Sequence, residues 1–456
     1  MTKLISVNPS TKEKLGEVAI TTKKQVLTKI AKAKTAFSSW GYLELNKRIE
    51  LLSKVVNEIE KTKDELAILA TKEMGMPITD SKYDISDALH YFKWYLENAA
   101  KYLSPEVTYE DDKVVHRVYY EPRGVVAAIT PWNYPTSNVI WAVGQSLVCG
   151  NTVVYKTSEE NPLFGKMIEE IFTKHLPNGV FQEVYGDGNV GKLLVSGDID
   201  FIAFTGSTEI GRYLYKVAAK KFIGLTLELG GSAPGIVFED ADLQLATENI
   251  YFNRYGNCGQ TCDGLKRLII HKDVADKLVT LLKEKLAKIK VGNALNEDIE
   301  IGPLVSEKQF NRLSHQVEDA TRKGAKVVVG GKKINSLNGY FFEPTILSNI
   351  RKNMLVWKEE VFGPVLPVIT FEEDNEAILL ANDTVYGLGS YVYTKDLRRA
   401  KDIAHQIKAG MVSINGESYV QPYNPFGGCK MSGFGREHGK FGFRELTQVK
   451  VVSSNK

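Results

Sequence analysis

The sequence predicts an α/β protein in which two sheet-and-helix domains follow one another and a small β-rich arm stands apart from both. Three observations carry that reading. From residue 124 onward, short apolar runs alternate with helical stretches, the pattern of buried parallel strands and their crossover helices. After Gly231 the alternation begins again, so a second unit follows the first. A chain of 456 residues is also too long for one ordinary core, and two or three domains are expected.

In chain order, the first hundred residues read as helices. Residues 26–40 and 48–61 carry apolar side chains at steps of three and four, a third stretch ends near Gly75, and a fourth spans about 79–102 after Pro77. Residues 109–120 change to β-formers (Val114, Val115, Val118, Tyr119, Tyr120), a hairpin or an arm. Strands are expected at 124–130, 152–155, 180–184, 201–204 and 226–229, with helices such as 162–175 and 188–195 between them. The second series has strands 235–238 and 267–271, with helices from Leu243 and over 274–289. It continues with helix 307–323, strands 326–329 and 365–371, helix 373–381, and strands 390–393 and 411–414. The tail after Phe426 is Gly-rich and then β-rich at 449–452, and no internal repeat interrupts the chain. The expected division is a Rossmann-like dinucleotide-binding domain from 1–103 with 122–230, an α/β catalytic domain from 231–430, and an arm and tail from 104–121 with 431–456. The cleft between the two α/β domains is the default site.

Composition narrows the function classes. Hydrophobic content of 43% with 25% charged residues is that of a soluble globular enzyme. Lys and Arg total 58 against 55 Asp and Glu, a net charge of +3 that leaves no footprint for nucleic acid. No basic amphipathic helix points to a membrane surface, and no run approaches the ~20 apolar residues of a membrane span. The first residues carry no apolar core of a signal peptide. Cys149, Cys258, Cys262 and Cys429 form no disulfide framework, so a reducing cytoplasm is the expected compartment. No His stands at ligand spacing from Cys258 and Cys262, and no metal is expected.

Several short motifs can carry chemistry. Gly186-Asp187-Gly188-Asn189-Val190-Gly191 spells a dinucleotide fingerprint, but no acidic residue follows at the end of the next strand, so it reads as a tight turn into a helix. The next turn, Phe204-Thr205-Gly206-Ser207-Thr208-Glu209-Ile210-Gly211, offers free amides and hydroxyls where strand meets helix and can cradle phosphates. Cys262, in Asn257-Cys258-Gly259-Gln260-Thr261-Cys262, lies in a loop after a helix, where a thiol is open to substrate; a buried structural cysteine is the plainer reading of an isolated one. Glu228 ends an apolar strand before Gly230 and Gly231, where a carboxylate has a raised pKa and can act as a general base; a solvated strand end is the alternative. Asn133, in Pro131-Trp132-Asn133-Tyr134-Pro135, is a rigid carboxamide suited to an oxyanion, or a plain turn residue.

Together these motifs resemble the aldehyde dehydrogenase superfamily over essentially the whole chain. The match runs through Pro131-Trp132-Asn133-Tyr134-Pro135, Lys156-Thr157-Ser158-Glu159, the Phe204–Thr208 turn, Glu228-Leu229-Gly230-Gly231 and Gly259-Gln260-Thr261-Cys262. It ends in Glu360-Val361-Phe362-Gly363-Pro364, Pro425-Phe426-Gly427-Gly428 and Gly433-Phe434-Gly435-Arg436-Glu437. The resemblance implies the aldehyde dehydrogenase fold and oxidation of an aldehyde to a carboxylic acid through a thioester on Cys262. Asn133 would hold the oxyanion with the Cys262 amide, and Glu228 would activate water. Lys156, counted with the catalytic positions, and Glu159 would hold the adenosine ribose. Trp132 and Ser207 would contact the pyrophosphate, and Glu360 and Phe362 the nicotinamide end. Further cofactor contacts are implied at Thr130, Pro131, Ser158, Gly188, Phe204, Thr205, Gly206, Glu228, Leu229 and Gly230. Glu159 would accept bonds from a free 2′-hydroxyl and repel a 2′-phosphate, so NAD is favoured over NADP. Thr157 stands where the family usually has Pro. Glu228 favours hydrolysis over transfer to coenzyme A, the first alternative; a non-catalytic relative is the second. The family's assembly implies a homo-oligomer, dimer or tetramer, joined through the arm and the last strand.

The shorter bacterial and archaeal relatives include succinate-semialdehyde dehydrogenases, which carry an Arg eight residues after the oxyanion Asn; here that position is Trp141. Asp263, directly after the nucleophile, would repel an acidic tail if it faces the tunnel. Tyr134, Trp141, Thr261, Tyr419 and Phe426 would line an aromatic tunnel suited to neutral aliphatic or aromatic aldehydes, or to an amino-aldehyde through cation–π contact. Semialdehydes stay open, with Arg254 as a conceivable carboxylate anchor. Cys258 is either a redox partner of Cys262 or a packed small hydrophobe.

Overall fold

The computed structural model describes residues 2–456. Its first open sheet has the order Gly433–Phe434, Gly224–Glu228, Phe201–Thr205, Val125–Ile129, Thr152–Lys156, Phe181–Val184. All pairs are parallel except the edge strand Gly433–Phe434, drawn from the tail, which runs antiparallel beside the strand ending in Glu228. Val125, Val126, Ala127 and Ala128 are fully buried, as a strand covered on both faces requires. The helices Lys23–Trp40, Gly188–Ser196 and Thr208–Lys221 pack over one face. Leu45–Lys61, Ile78–Leu103 and Pro162–His175 pack over the other.

The order of this sheet reverses between Val125–Ile129 and Phe201–Thr205: from the former the chain builds outward through Thr152–Lys156, from the latter it returns the other way. At such a switch point the loops leaving the carboxyl ends part and open a crevice. The loops concerned are residues 130–134 and 206–207.

The second sheet has the order Lys326–Val329, Thr345–Ser348, Val365–Phe371, Leu265–His271, Ala233–Val237, Tyr391–Tyr393, Ser413–Ile414, parallel but for its first strand. One continuous apolar cluster surrounds it. A third sheet, Thr447–Asn455, Val114–Pro122 and Glu106–Glu110, is antiparallel and is the expected arm. Val107, Tyr109, Val449 and Val451 on it are exposed.

Most expected elements lie within two or three residues of their observed bounds; helix 162–175 and strand 365–371 coincide with them. The strand Thr345–Ser348 and the helices Leu355–Lys358 and Gly439–Glu445 were not expected, and three further features differ. The first residues are a β-hairpin, Lys3–Val7 with Lys14–Ala19, and not helical. Its inward position Ser6 is polar and bonds the buried Glu73 at 2.6 Å, which masks the alternation. Helix Leu397–Gln406 buries only Ala400 and Ile403, so its apolar period is faint. The segment after Pro135 is helical to Val148 with a π turn at Ile140–Gly144, a local widening that carries Trp141. Among the described residues no helix is long and apolar enough to cross a membrane.

Candidate active site

A cavity of about 340 Å³ lies where the loops of the first sheet meet those of the second, and Asn133, Glu228 and Cys262 share its lining. The loop that carries Cys262 reaches it through a tight backbone reversal. Asn257, Cys258 and Gly259 have φ of 49°, 55° and 69°, three left-handed residues in succession. A Cβ on Gly259 would stand 2.3 Å from Arg254 Nη2 and 2.4 Å from the Gly363 carbonyl, so only glycine passes there.

Arg254 holds this reversal. Its Nη2 donates to the carbonyls of Gly259 at 2.6 Å and Gly363 at 2.5 Å, and Nη1 donates to Leu265 and Val361. Fully buried and committed to carbonyls, Arg254 is not available as the substrate anchor considered above. Asn133 closes the other side: its Nδ2 donates to the Gln260 carbonyl at 3.0 Å, and its own carbonyl accepts from Asn257 Nδ2 at 2.7 Å. The second N–H of the Asn133 amide remains for a ligand.

Lys266 was invisible as a site residue. It is fully buried, donates to the Cys262 carbonyl at 2.8 Å and the Gly231 carbonyl at 3.0 Å, and pairs with Glu360, whose Oε1 also accepts from the Gly231 amide. A Cβ on Gly230 would meet Glu360 Oε2 at 2.4 Å, which explains the paired glycines after Glu228. The available signal was Lys266-Arg267 inside the strand Leu265–His271, since charges in a buried strand need partners.

The electrostatics are those of a dry pocket. Burial pushes the Cys262 thiol well above its ordinary range; Asp263, whose Oδ1 lies 3.9 Å from Sγ, adds to this, and Lys266 opposes it. Both Glu228 oxygens are buried without a hydrogen-bond partner. Burial, and then Glu437, hold this carboxyl well above the usual carboxylate range. Gly427 passes so close that a Cβ there would stand 2.5 Å from Glu228 Oε1.

Of the expected cofactor contacts, Pro131, Trp132, Thr205, Gly206, Ser207, Glu228, Leu229, Gly230, Glu360 and Phe362 line the cavity. Lys156 does not: with Glu159 (3.6 Å from its Nζ) it forms a second group, beside the helix that Gly188 opens, where Gly191 approaches the Lys156 stem. The discounted glycine fingerprint therefore borders this group. Ser158 Oγ accepts from the Glu160 amide nearby. Thr130 is buried on the Tyr155 hydroxyl, and Phe204 packs in the core under Gly206. Tyr134, Trp141, Thr261, Asp263 and Phe426 line the cavity. Tyr419 stands one layer back, its hydroxyl donating to that of Tyr391, which donates to the Asp263 carbonyl. Tyr83, Asp84 and Asp87 on helix Ile78–Leu103, and Phe252 on helix Leu243–Tyr255, also line the cavity and were not anticipated, because none of them stands in a motif.

Comparison with known proteins shows the family. Residues 2–452 match the Aldehyde dehydrogenase family. The chain is 39% identical to glutarate-semialdehyde dehydrogenase of Pseudomonas aeruginosa, over 98% of this chain and 92% of that one. It is 36% identical to betaine aldehyde dehydrogenase of Bacillus subtilis, over 98% and 93%. Among solved structures, an NADP-dependent enzyme of E. coli superposes with a TM-score of 0.96 at 36% identity, covering 100% of this chain and 95% of that one. With its fold, its cavity and its full length in agreement, the chain belongs to the aldehyde dehydrogenase family, enzymes that oxidise aldehydes with NAD or NADP.

Proposed function

We propose that this enzyme converts an aldehyde with a neutral or cationic tail to its carboxylic acid through an acyl group carried on Cys262, with NAD the favoured cofactor. The observation that carries the substrate reading is the far lining of the cavity: Trp141, Tyr134 and Phe426 are aromatic, while Asp84, Asp87 and Asp263 are acidic. The basic residue of the lining, Arg312, pairs with Glu359 on the Glu360 side. A carboxylate tail would meet like charge there, and an ammonium would meet carboxylates and aromatic faces.

The residues present suit a dinucleotide. Ser207 caps the fourteen-residue helix Thr208–Lys221, whose N-terminal amides and dipole face the cavity. A Cβ on Gly188 would meet nothing within 4 Å, so the second helix N-terminus beside Lys156 and Glu159 is open to a ligand. When bound, the nicotinamide supplies the hydride acceptor. Glu159 supports NAD by disfavouring a 2′-phosphate.

In the chemistry we infer, Cys262 reacts as the thiolate, its proton having passed to solvent, and Sγ bonds to the aldehyde carbon as the carbonyl π pair moves onto oxygen. Asn133 Nδ2 and the Cys262 amide hold the resulting oxyanion, and Lys266 keeps the loop fixed through the Cys262 carbonyl. After oxidation the acyl group remains on sulfur as a thioester. Glu228 takes a proton from the water that cleaves it, its unpartnered oxygens being free to do so. The exposed apolar faces of the arm support a homo-oligomer, and the free cysteines support a cytoplasmic setting.

An initial-rate screen with NAD and NADP against 4-aminobutanal, hexanal, benzaldehyde and succinate semialdehyde tests the reading. The amino and neutral aldehydes are expected to give the higher kcat/KM. A preference of tenfold or more for succinate semialdehyde would sink it, and would favour the semialdehyde reading that the names of several relatives suggest.

A further inference from the structure

A second cavity, of about 450 Å³, lies away from the Cys262 lining, at the foot of the arm. Its walls combine aromatic and aliphatic side chains (Tyr42, Leu45, Tyr119, Tyr120) with two arginines, Arg48 and Arg123. Arg48 is only 8% exposed, yet its one hydrogen bond runs from Nη1 to the Leu43 carbonyl at 2.7 Å, and its Nε has no partner. Arg123 donates from Nε to the Glu445 carbonyl and lies 4.9 Å over the Phe201 ring. Both guanidiniums thus hydrogen-bond only to neutral groups; Arg123 is half-buried, but for the buried Arg48 a cation without a counter-ion in contact is costly unless something supplies one.

Glu44 acts on Arg48 and Glu445 on Arg123 through space, but among the described residues neither carboxylate forms an ion pair with its arginine. Glu121 at the rim is paired with Lys450. The Cys149 thiol on the cavity wall, which faces both arginines, is pushed up to about 12 by burial and stays neutral. The elsewhere prevalent pattern of this chain, a buried Lys or Arg spent on several carbonyls or on a carboxylate (Arg254, Lys266, Arg267), is broken here.

We propose that this cavity is a binding site for an organic monocarboxylate with an apolar body. Its carboxylate bridges Arg48 and Arg123, and its tail packs on Tyr42, Leu45 and Tyr119. A ligand there would touch both the helix Leu45–Lys61 and the arm strand Val114–Pro122. Two sources share that chemistry: the acid the enzyme itself releases and an unrelated fatty acid.

Calorimetric titration with octanoate, acetate and octanol tests the chemistry, and the acid of each aldehyde in the screen above distinguishes the sources. Octanoate is expected to bind at one site per chain, at least tenfold tighter than acetate, which lacks the tail, or octanol, which lacks the charge. Arg123→Gln and Arg48→Met are each expected to weaken it about tenfold or more. Tyr42→Glu, at a position 83% exposed where folding is not in question, is expected to abolish it by adding a carboxylate at the mouth. Trp141→Ala, in the aldehyde cavity, is expected to leave it unchanged. Absence of octanoate binding at millimolar concentration overturns the proposal. So does binding that survives Tyr42→Glu and Arg123→Gln, or that is lost in Trp141→Ala, or that appears only in dissociated chains, which would make a second copy the occupant.

Discussion

The Cys262 loop and the Glu228 strand meet at one cavity but are built in opposite ways. Around Cys262 the backbone is held by many side chains: Asn133, Asn257 and Gln260 bind one another's carbonyls, and Arg254 and Lys266 bind those of Gly259 and Cys262, beside three left-handed residues. Glu228, a short distance away, has no partner for either oxygen. A nucleophile must be held within a few tenths of an ångström of a trajectory, so its loop is over-determined. The group proposed to take a proton from water and pass it on must turn, so its carboxyl is left unbound in a pocket whose burial raises its pKa. Immobility and readiness to titrate are separate demands, met here by separate elements.

Breaking the free side should have the largest effect. Glu228→Gln keeps the shape and removes the proton acceptor, so steady-state turnover is expected to fall about 10²–10⁴-fold. A burst of one NADH per active site should persist, because thioester cleavage is the step that needs the base. An equal loss of burst and turnover would instead assign Glu228 to thiol activation. Breaking the bound side should register as stability before chemistry. Arg254→Met strips charge-assisted bonds from four buried carbonyls and is expected to cost about 3 kcal/mol in urea unfolding. A variant as stable as the parent would show that the reversal at residues 257–259 holds itself.

The same contrast governs how much could be read from sequence. Cys262, Glu228 and Asn133 were legible because each sits in a motif whose glycines and prolines announce a constrained backbone, and the structure gives each constraint a cause: Arg254 at Gly259, Glu360 at Gly230. The parallel strands were legible because burial on both faces leaves continuous apolar runs. Lys266 was not, since a lysine shows its partner only once Glu360 is folded beside it, 94 residues on. Asp84 and Asp87 were not, since on helix Ile78–Leu103 an acidic residue reads as solvated; Asp84 is in fact buried, accepting from the amides of Thr136 and Ser137 and so setting the start of the helix that carries Trp141. Tyr419 was placed one layer too far forward because an aromatic residue near a site motif does not reveal its depth.

The smallest effect expected is the most specific to substrate. Asp87 lines the cavity, and burial, then the neighbouring Asp84, raises its pKa to about 6. Below that pH it is neutral, and above it the wall is charged. An amino-aldehyde keeps its ammonium throughout pH 5–8. The ratio of kcat/KM for 4-aminobutanal to that for hexanal should therefore rise about fivefold between pH 5 and 7.5, the equivalent of roughly 1 kcal/mol for a partly solvated ion pair. Taking the ratio cancels the titration of Cys262 and Glu228, which act on both substrates alike. Asp263 and Asp84 also face this wall; burial raises the pKa of both, and Asp87→Asn separates their contribution from that of Asp87. In Asp87→Asn the rise through pH 6 should vanish while the rate with hexanal stays put. A ratio flat across that range in the parent enzyme would mean that the carboxylate at the mouth does not meet the tail of the substrate, and that the aromatic residues alone select it.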